Sequence, residues 1–339
     1  MARPPWGESK RGANGRSART RNLPDRPVAI QRLAMRSGDH NGAASDVSVI
    51  VVSYNSEPYL ERSLGAVASS GHELVVVDNA STDGSVALVR SRFPGARLVE
   101  LDRNVGFGAA CNEGMRRAAG SYFLLLNPDA WPVGEGVATL VRFAKGRPRL
   151  GAAGPRLRSP DGRPQQSAYG YPTALWLGSP AVTSHPRRRP REVPRRPYFL
   201  VGTALLLRRQ AVEEVGGFDE RFFMFNEEID LCWRLHHAGW QVELCPDATF
   251  EHVGGASSGT TWPALYREQL RGHLLFVAKH RSLRQAERAR RVLLASLRVR
   301  AAFRRDALGS AFREASAWLA SGDAQRLIGE DGADHFLRP

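Results

Sequence analysis

The sequence predicts an α/β fold in which a mostly parallel sheet carries helices on both faces, followed by a helical C-terminal extension. Three observations predict it. Short β-branched runs alternate with helix-period segments from Val47 to Leu126. Polar residues cluster just after each run. Beyond Trp262 the period becomes helical and strongly basic.

Val47-Ser-Val-Ile-Val-Val52 is a short β-branched run that reads as a buried parallel strand, and Ser53 to Ser56 is its loop. Leu60 to Ala68 has helical spacing. His72 to Val77 reads as a second strand, closed by Asp78 to Gly84. Ser85 to Phe93 reads as a helix stopped by Pro94 and Gly95, and Ala96 to Leu101 as a third strand. Phe107 to Ala119 is a third helix, ended by Gly120. Ser121 to Leu126 is a fourth strand, ending at Asn127-Pro-Asp129. Gln165 to Pro197, rich in Pro and Arg, reads as a long flap-like loop. Tyr198 to Leu207 reads as one buried strand. Gln210 to Val215 is a short helix stopped by Gly216 and Gly217. Glu227 to Ala238 reads as a helix and Trp240 to Cys245 as a strand.

This gives three parts: a disordered basic tail over 1–45, a catalytic domain over 46–262, and a basic helical extension over 263–339. The catalytic domain divides into halves at 46–130 and 131–262. The 339 residues carry 48 Lys and Arg against 34 Asp and Glu, a net charge of +14. That balance favours phosphate-bearing substrates, an anionic membrane surface or nucleic acid. Three cysteines form no disulfide framework and suggest a reducing compartment. No segment reaches the roughly 20 apolar residues of a membrane-spanning helix, and no signal peptide is evident.

In open α/β sheets the ligand crevice lies beyond the carboxyl ends of the strands. Asn55, Asp78, Asn104 and Asp129 are therefore expected to converge. Asn104-Val-Gly-Phe-Gly108 opens a helix, a setting that favours phosphate, although glycine is also common in simple loop-to-helix turns. Asp78 is suited to a base N–H or a ribose hydroxyl, or else caps the following helix. Three carboxylates, Glu227, Glu228 and Asp230, follow the apolar run Phe222 to Phe225. They either balance a helix dipole or supply a base whose pKa the apolar setting raises.

Val49 to Asn55, Val75 to Gly84, Asn104 to Gly108, Leu124 to Asp129 and Gly216 to Arg234 together resemble glycosyltransferase family 2, with its Rossmann-like GT-A fold. More narrowly, they are similar to rhamnosyltransferases that act on lipid-linked acceptors in bacterial envelope synthesis. The resemblance covers about residues 47–280. It implies an inverting, metal-dependent transferase that takes a sugar from a nucleotide-diphosphate donor. dTDP-rhamnose is the first expectation; UDP-linked hexoses or galactofuranose are the alternatives. The acceptor is expected to be a glycan or a polyprenyl-diphosphate-linked glycan, at the cytoplasmic, inner face of the plasma membrane.

By this resemblance Asp78 anchors the nucleotide, flanked by Tyr54 and Asn55, with Asn104, Gly106 and Asn127 completing the donor site. Asp129 is the ligand for Mg²⁺ or Mn²⁺, because a divalent cation neutralises the departing diphosphate. Asn127 replaces the first aspartate of the family's Asp-x-Asp motif. His252 is a second metal ligand or a structural histidine. Glu228 stands at the position of the family's base, as Glu rather than Asp, with Glu227 as the alternative. Asp230 binds acceptor or orders the loop.

Leu270, Leu274, Leu293 and Leu297 alternate with arginines and lysine. They read either as a membrane-surface helix or as a solvated helix closing the domain. The competing class is a basic polyanion-binding protein without catalysis. Specific nucleic-acid recognition is not expected, because the arginines lie away from the ordered motifs. Asn127 and Glu228 also admit an inactive relative that binds nucleotide without turnover.

Overall fold

The structure is a computed structural model that describes residues 46–172, 198–254 and 262–328. The basic tail at 1–45 and the larger part of the expected flap, 173–197, lie outside the described residues. All described elements belong to one compact unit.

Val47–Ser53 forms β1, buried along its whole length, as its β-branched run suits. It pairs in parallel with β2 (Glu73–Asp78) and β4 (Tyr122–Leu126), and β2 pairs in parallel with β3 (Arg97–Glu100). Ser53 stands opposite Asp78, and Val51 opposite Leu126, so the loops after β1, β2 and β4 leave the sheet at one rim. The connections are α1 (Glu57–Ala68), α2 (Ser85–Arg92) and α3 (Phe107–Arg117).

Beyond β4 the sheet is mixed. It is built further from β5 (Ala130–Pro132), β6 (Leu150–Arg158), the two-residue β7 (Pro164–Gln165), β10 (Ala204–Arg208) and β11 (Gln241–His252). The order is β3-β2-β1-β4-β10-β6-β11-β5, with β7 on β6. β10 runs antiparallel between β4 and β6, and β5 antiparallel to β11. β11 and β6 are parallel and end at the same rim as β1, β2 and β4. β8 (Ala168–Gly170) and β9 (Tyr198–Leu200) form a separate two-stranded sheet.

The alternation of side chains splits the core. Ile50, Val77, Leu125 and Leu205 face α3, α5 (Arg209–Val215) and α6 (Glu227–His237). Val49, Val51, Leu124 and Leu206 face α1 and α4 (Gly136–Lys145). Helices on both faces of a mostly parallel sheet match the expectation.

Two expectations are corrected. Tyr198 to Leu207 is not one strand: it breaks at Val201–Thr203 into β9 and β10, which belong to different sheets. The strand expected to end at Cys245 continues to His252 through a register shift between Cys245 and Thr249. That shift carries the chain past Pro246, which cannot donate to a regular ladder.

The extension is α7 (Trp262–His280), α8 (Leu283–Ala302), α9 (Ala307–Ala320) and α10 (Gly322–Ile328). Leu270, Leu274, Leu293 and Leu297 are at most 2% exposed and join the core that includes α6. This leucine stripe is used up in helix packing, so these leucines are not a membrane-facing stripe. Ser282 and Asp306 cap α8 and α9 through Gln285 N and Gly309 N.

Candidate active site

Asp78 ends β2 and is buried. One carboxylate oxygen accepts from Ser81 N at 2.9 Å; the other, Oδ1, is buried with no hydrogen-bond partner among the described residues. A buried carboxylate oxygen left unpaired is costly, and is the mark of a group that meets a ligand. Asn55 has φ 49° and ties two loops together: its Oδ1 accepts from Thr82 N at 2.8 Å and its N–H donates to Ser81 Oγ at 2.9 Å. Tyr54 is half-buried beside it.

Asn79, which the sequence reading passed over, organises the next loop. Its Nδ2 donates to Asn104 Oδ1 at 2.9 Å, and its Oδ1 accepts from Val105 N at 2.9 Å. Asn104 Oδ1 also accepts from Gly106 N at 3.0 Å. Gly106 has φ 89°, and a Cβ there would lie 2.3 Å from Phe223 O. Phe107 N donates to that same carbonyl at 2.8 Å. The glycine is thus demanded by close docking of this loop on the segment before the acid cluster.

Asn127 N donates to Thr203 O at 2.9 Å, which holds the Asn127-Pro-Asp129 turn against the break between β9 and β10. Asp129 is fully buried, and neither carboxylate oxygen has a hydrogen-bond partner among the described residues. His252 Nε2 lies 3.6 Å from Asp129 Oδ1. Gln165 Nε2 donates to the His252 carbonyl at 2.8 Å, so its Oε1 accepts from Nδ1–H, also at 2.8 Å. That pair fixes the tautomer and turns the Nε2 lone pair toward Asp129. Burial lowers the His252 pKa, against the pull of the Asp129 charge, and keeps the ring neutral. A buried carboxylate with free lone pairs beside a neutral, oriented imidazole fits a divalent cation. No group of three or more His, Cys, Asp or Glu able to hold a metal occurs among the described residues. A cation here would need ligand oxygens from a diphosphate as well.

The acid cluster begins α6. Phe225 (φ 66°) and Asn226 (φ 73°) are both left-handed, a strained pair immediately before Glu227. Gly272 of α7 packs on them; a Cβ there would lie 2.4 Å from Asn226 Nδ2. Glu227 is buried against α3, beside Gly108. Burial, then the charge of Glu228, drives its pKa well up. Glu228 is half-buried and lies beside Gly202, in the β9–β10 break. Burial raises its pKa to about 7. Oε2 of each glutamate is buried with no hydrogen-bond partner among the described residues.

Asp230 is different. Its Oδ2 accepts from Arg234 Nε at 2.7 Å, and its Oδ1 from Lys279 Nζ at 2.6 Å and His280 Nε2 at 2.7 Å. Although burial opposes it, Arg234, Lys279 and His280 hold its carboxyl far below the usual range. Lys279 also reaches Asp219 at 2.6 Å, and Arg234 donates to the carbonyls of Val215 and Gly217. Of the two roles expected for Asp230, these bonds serve the ordering one.

The β1, β2 and β4 loops and the end of β11 therefore share one rim, and the 127–203 hydrogen bond adjoins the glutamates to it.

Residues 48–216 match the model of glycosyl transferase family 2, and residues 186–315 that of glycosyl transferase family group 2. The chain is 32% identical over 289 residues to N-acetylglucosaminyl-diphospho-decaprenol L-rhamnosyltransferase of Mycobacterium tuberculosis, covering 76% of this chain and 94% of that protein. It is 28% identical over 227 residues to O-antigen biosynthesis protein RfbC of Myxococcus xanthus, covering 61% of this chain but 17% of that one. Among solved structures, a mannosyltransferase of Pyrobaculum calidifontis in complex with GDP-Man and Mn²⁺ superposes with a TM-score of 0.51. It is 20% identical, with 85% of this chain and 84% of that one covered. This likeness supports the GT-A fold.

Proposed function

Because the chain belongs to glycosyltransferase family 2, we propose that it transfers L-rhamnose from a nucleotide-diphosphate donor, dTDP-rhamnose, to a polyprenyl-diphosphate-linked glycan, with inversion at the anomeric carbon. The mycobacterial relative's name supplies the sugar and the acceptor class. The observation that carries the reading in this chain is Glu228, a half-buried carboxylate raised to about 7, at the rim where Asp78 Oδ1 and both Asp129 carboxylate oxygens also lack partners among the described residues.

Asp78 grips the nucleoside through its unpartnered Oδ1, with Tyr54 and Asn55 beside the base. Asn79, Asn104 and Gly106 hold the loop that meets the phosphates, and Asn127 lies next to them. Asp129 and His252 would hold Mg²⁺ or Mn²⁺. Bound there, the cation supplies charge neutralisation for the departing diphosphate. Glu228 accepts the proton from the acceptor hydroxyl as that oxygen bonds to the anomeric carbon and the bond to the nucleoside diphosphate breaks. One displacement of this kind inverts the centre and needs no enzyme nucleophile. Glu227 lies deeper, beside α3, where burial and then the charge of Glu228 drive its pKa well up and keep it protonated; we assign the base to Glu228. Asp230 positions the helix that carries both.

A donor panel tests the proposal: dTDP-rhamnose, UDP-galactofuranose and UDP-hexoses, each with a polyprenyl-diphosphate glycan acceptor, with release of nucleoside diphosphate as the readout. Acceptor-dependent release from dTDP-rhamnose is the expected result. Release from a UDP-sugar alone would replace the donor. Nucleotide binding without release from any donor would overturn transfer itself.

No described helix is long and apolar enough to cross a membrane. We place the protein at the inner face of the plasma membrane, where a lipid-linked acceptor presents its glycan.

A further inference from the structure

Leu293 and Leu297 of α8 point inward, yet its outer face is not simply polar. Val292 is 47% exposed, Val299 61% and Phe303, at the C-cap, 85%. Spacings of seven and then four residues put the three on one side of the helix. Arg288 and Arg284, one and two turns before Val292, are exposed next to this side, and Arg298 is exposed about a third of a turn around the helix from it. Residues 281–305 carry nine arginines and one acid, Glu287. Glu287 is engaged by Arg290 and Arg291 and does not offset the outer row.

The geometry points to this face of α8 as a docking surface for an anionic lipid bilayer, with Phe303 and Val299 entering the headgroup boundary and the arginine row on lipid phosphates. Charge complementarity selects the occupant. A second copy of the same face would bring two strongly positive rows together. A nucleic-acid backbone would satisfy the arginines, but it gives no reason to hold a phenylalanine and two valines in water among them. An interface with charged headgroups above and hydrocarbon below rewards both. The face differs from the leucine stripe, which packing consumes, and the inference does not depend on which sugar is transferred.

The test is sedimentation of the full-length protein with vesicles, either phosphatidylcholine alone or an equimolar mixture with phosphatidylglycerol. Binding is expected to the mixed vesicles only. Substituting Arg284→Gln, Arg288→Gln and Arg298→Gln together should weaken it about a hundredfold. That is ~1 kcal/mol per basic residue converted at about 1.4 kcal/mol per decade. The pair Val299→Ser and Phe303→Ser should weaken it about tenfold. All five side chains are exposed, so glycosyl transfer to a detergent-dispersed acceptor should stay at the parent rate. Loss of binding with transfer intact separates this inference from the activity.

Three results would overturn it. Vesicle binding unchanged in both variants moves the contact elsewhere on the chain. Binding lost in the arginine variant but kept in the serine pair, with a DNA duplex competing equally well, makes the face a polyanion contact. A change of oligomeric state in the serine pair with vesicle binding intact makes it a contact between copies.

Discussion

His252 Nε2 stands 3.6 Å from Asp129 Oδ1, on a ring whose other nitrogen is held by Gln165 at 2.8 Å. Residues separated by 123 positions are brought together because β11 ends beside β5 at the rim. If the pair holds the cation, Asp129→Ala should abolish transfer. Gln165→Leu should weaken Mn²⁺ about 10- to 100-fold by releasing the tautomer. Metal titrations of nucleoside diphosphate release read both. Chelation should stop the parent enzyme, and added Mn²⁺ should restore it.

Glu228→Gln keeps the size of the side chain and removes its basicity. Transfer should fall about 10²- to 10⁴-fold, while donor affinity by calorimetry stays near that of the parent. A full rate in this variant would exclude Glu228 as base; Glu227→Gln would then be the decisive comparison.

The pH dependence follows from the same residue. Burial raises Glu228 from the ordinary 4.5 to about 7. The working form is the carboxylate, so kcat should climb as pH rises through about 7. For stability the sign is reversed. A carboxyl whose folded pKa is raised favours the fold while protonated, and that contribution is lost between pH 4.5 and about 7. Glu228→Gln should therefore melt at a higher temperature than the parent at pH 8, and near it at pH 4. Thermal scans at the two values check this.

Asp230 answers to two cations, Arg234 and Lys279, and to the His280 imidazole. Asp230→Ala would remove the carboxylate that Arg234 and Lys279 share, leaving Lys279 to Asp219 alone, and should cost up to about 3–5 kcal/mol in chemical denaturation. Lys279→Met should cost less, because Arg234 and His280 remain on Asp230. Asp219, although its half-burial opposes it, is held down to about 2 by the bonds from Arg221 and the charge of Lys279. Its depressed pKa contributes stability above the ordinary carboxylate range. That contribution should disappear as pH falls from about 4 toward 2, which unfolding midpoints across that range would show.

Gly106→Ala would force a side chain onto Phe223 O from a left-handed backbone. It should destabilise by upwards of about 1 kcal/mol and lower kcat by shifting the segment before Glu228. The nucleotide dissociation constant should move less.

Three of the first four strands were legible because buried parallel strands are written as short, mainly apolar, β-branched or leucine-rich runs, as in Val47 to Val52 and Tyr122 to Leu126. Their loops were legible for the same reason: once the strands are placed, Asn55, Asp78 and Asp129 must emerge at one rim. What stayed hidden depends on contacts between distant segments. Gly202 looks like any residue within Tyr198 to Leu207, but the chain turns there, beside Glu228. Strands of two or three residues, such as β5, β7 and β8, are too short to show a period. Asn79 and Gln165 are ordinary polar residues until Asn104 and His252 are found beside them. The leucines of α7 and α8 carry an amphipathic pattern that a bilayer or a neighbouring helix satisfies equally well. Only the packing of the extension decides between them.

The bonds from Lys279 and His280 to Asp230 mean that the C-terminal helices are no detachable appendage. A shortened chain ending before α7 would retain every side chain assigned to donor and acceptor, yet lose two of the three clamps on the helix that bears the glutamates. Grafting another protein's tail onto this catalytic half would succeed only if the graft brought equivalent cations to the same carboxylate.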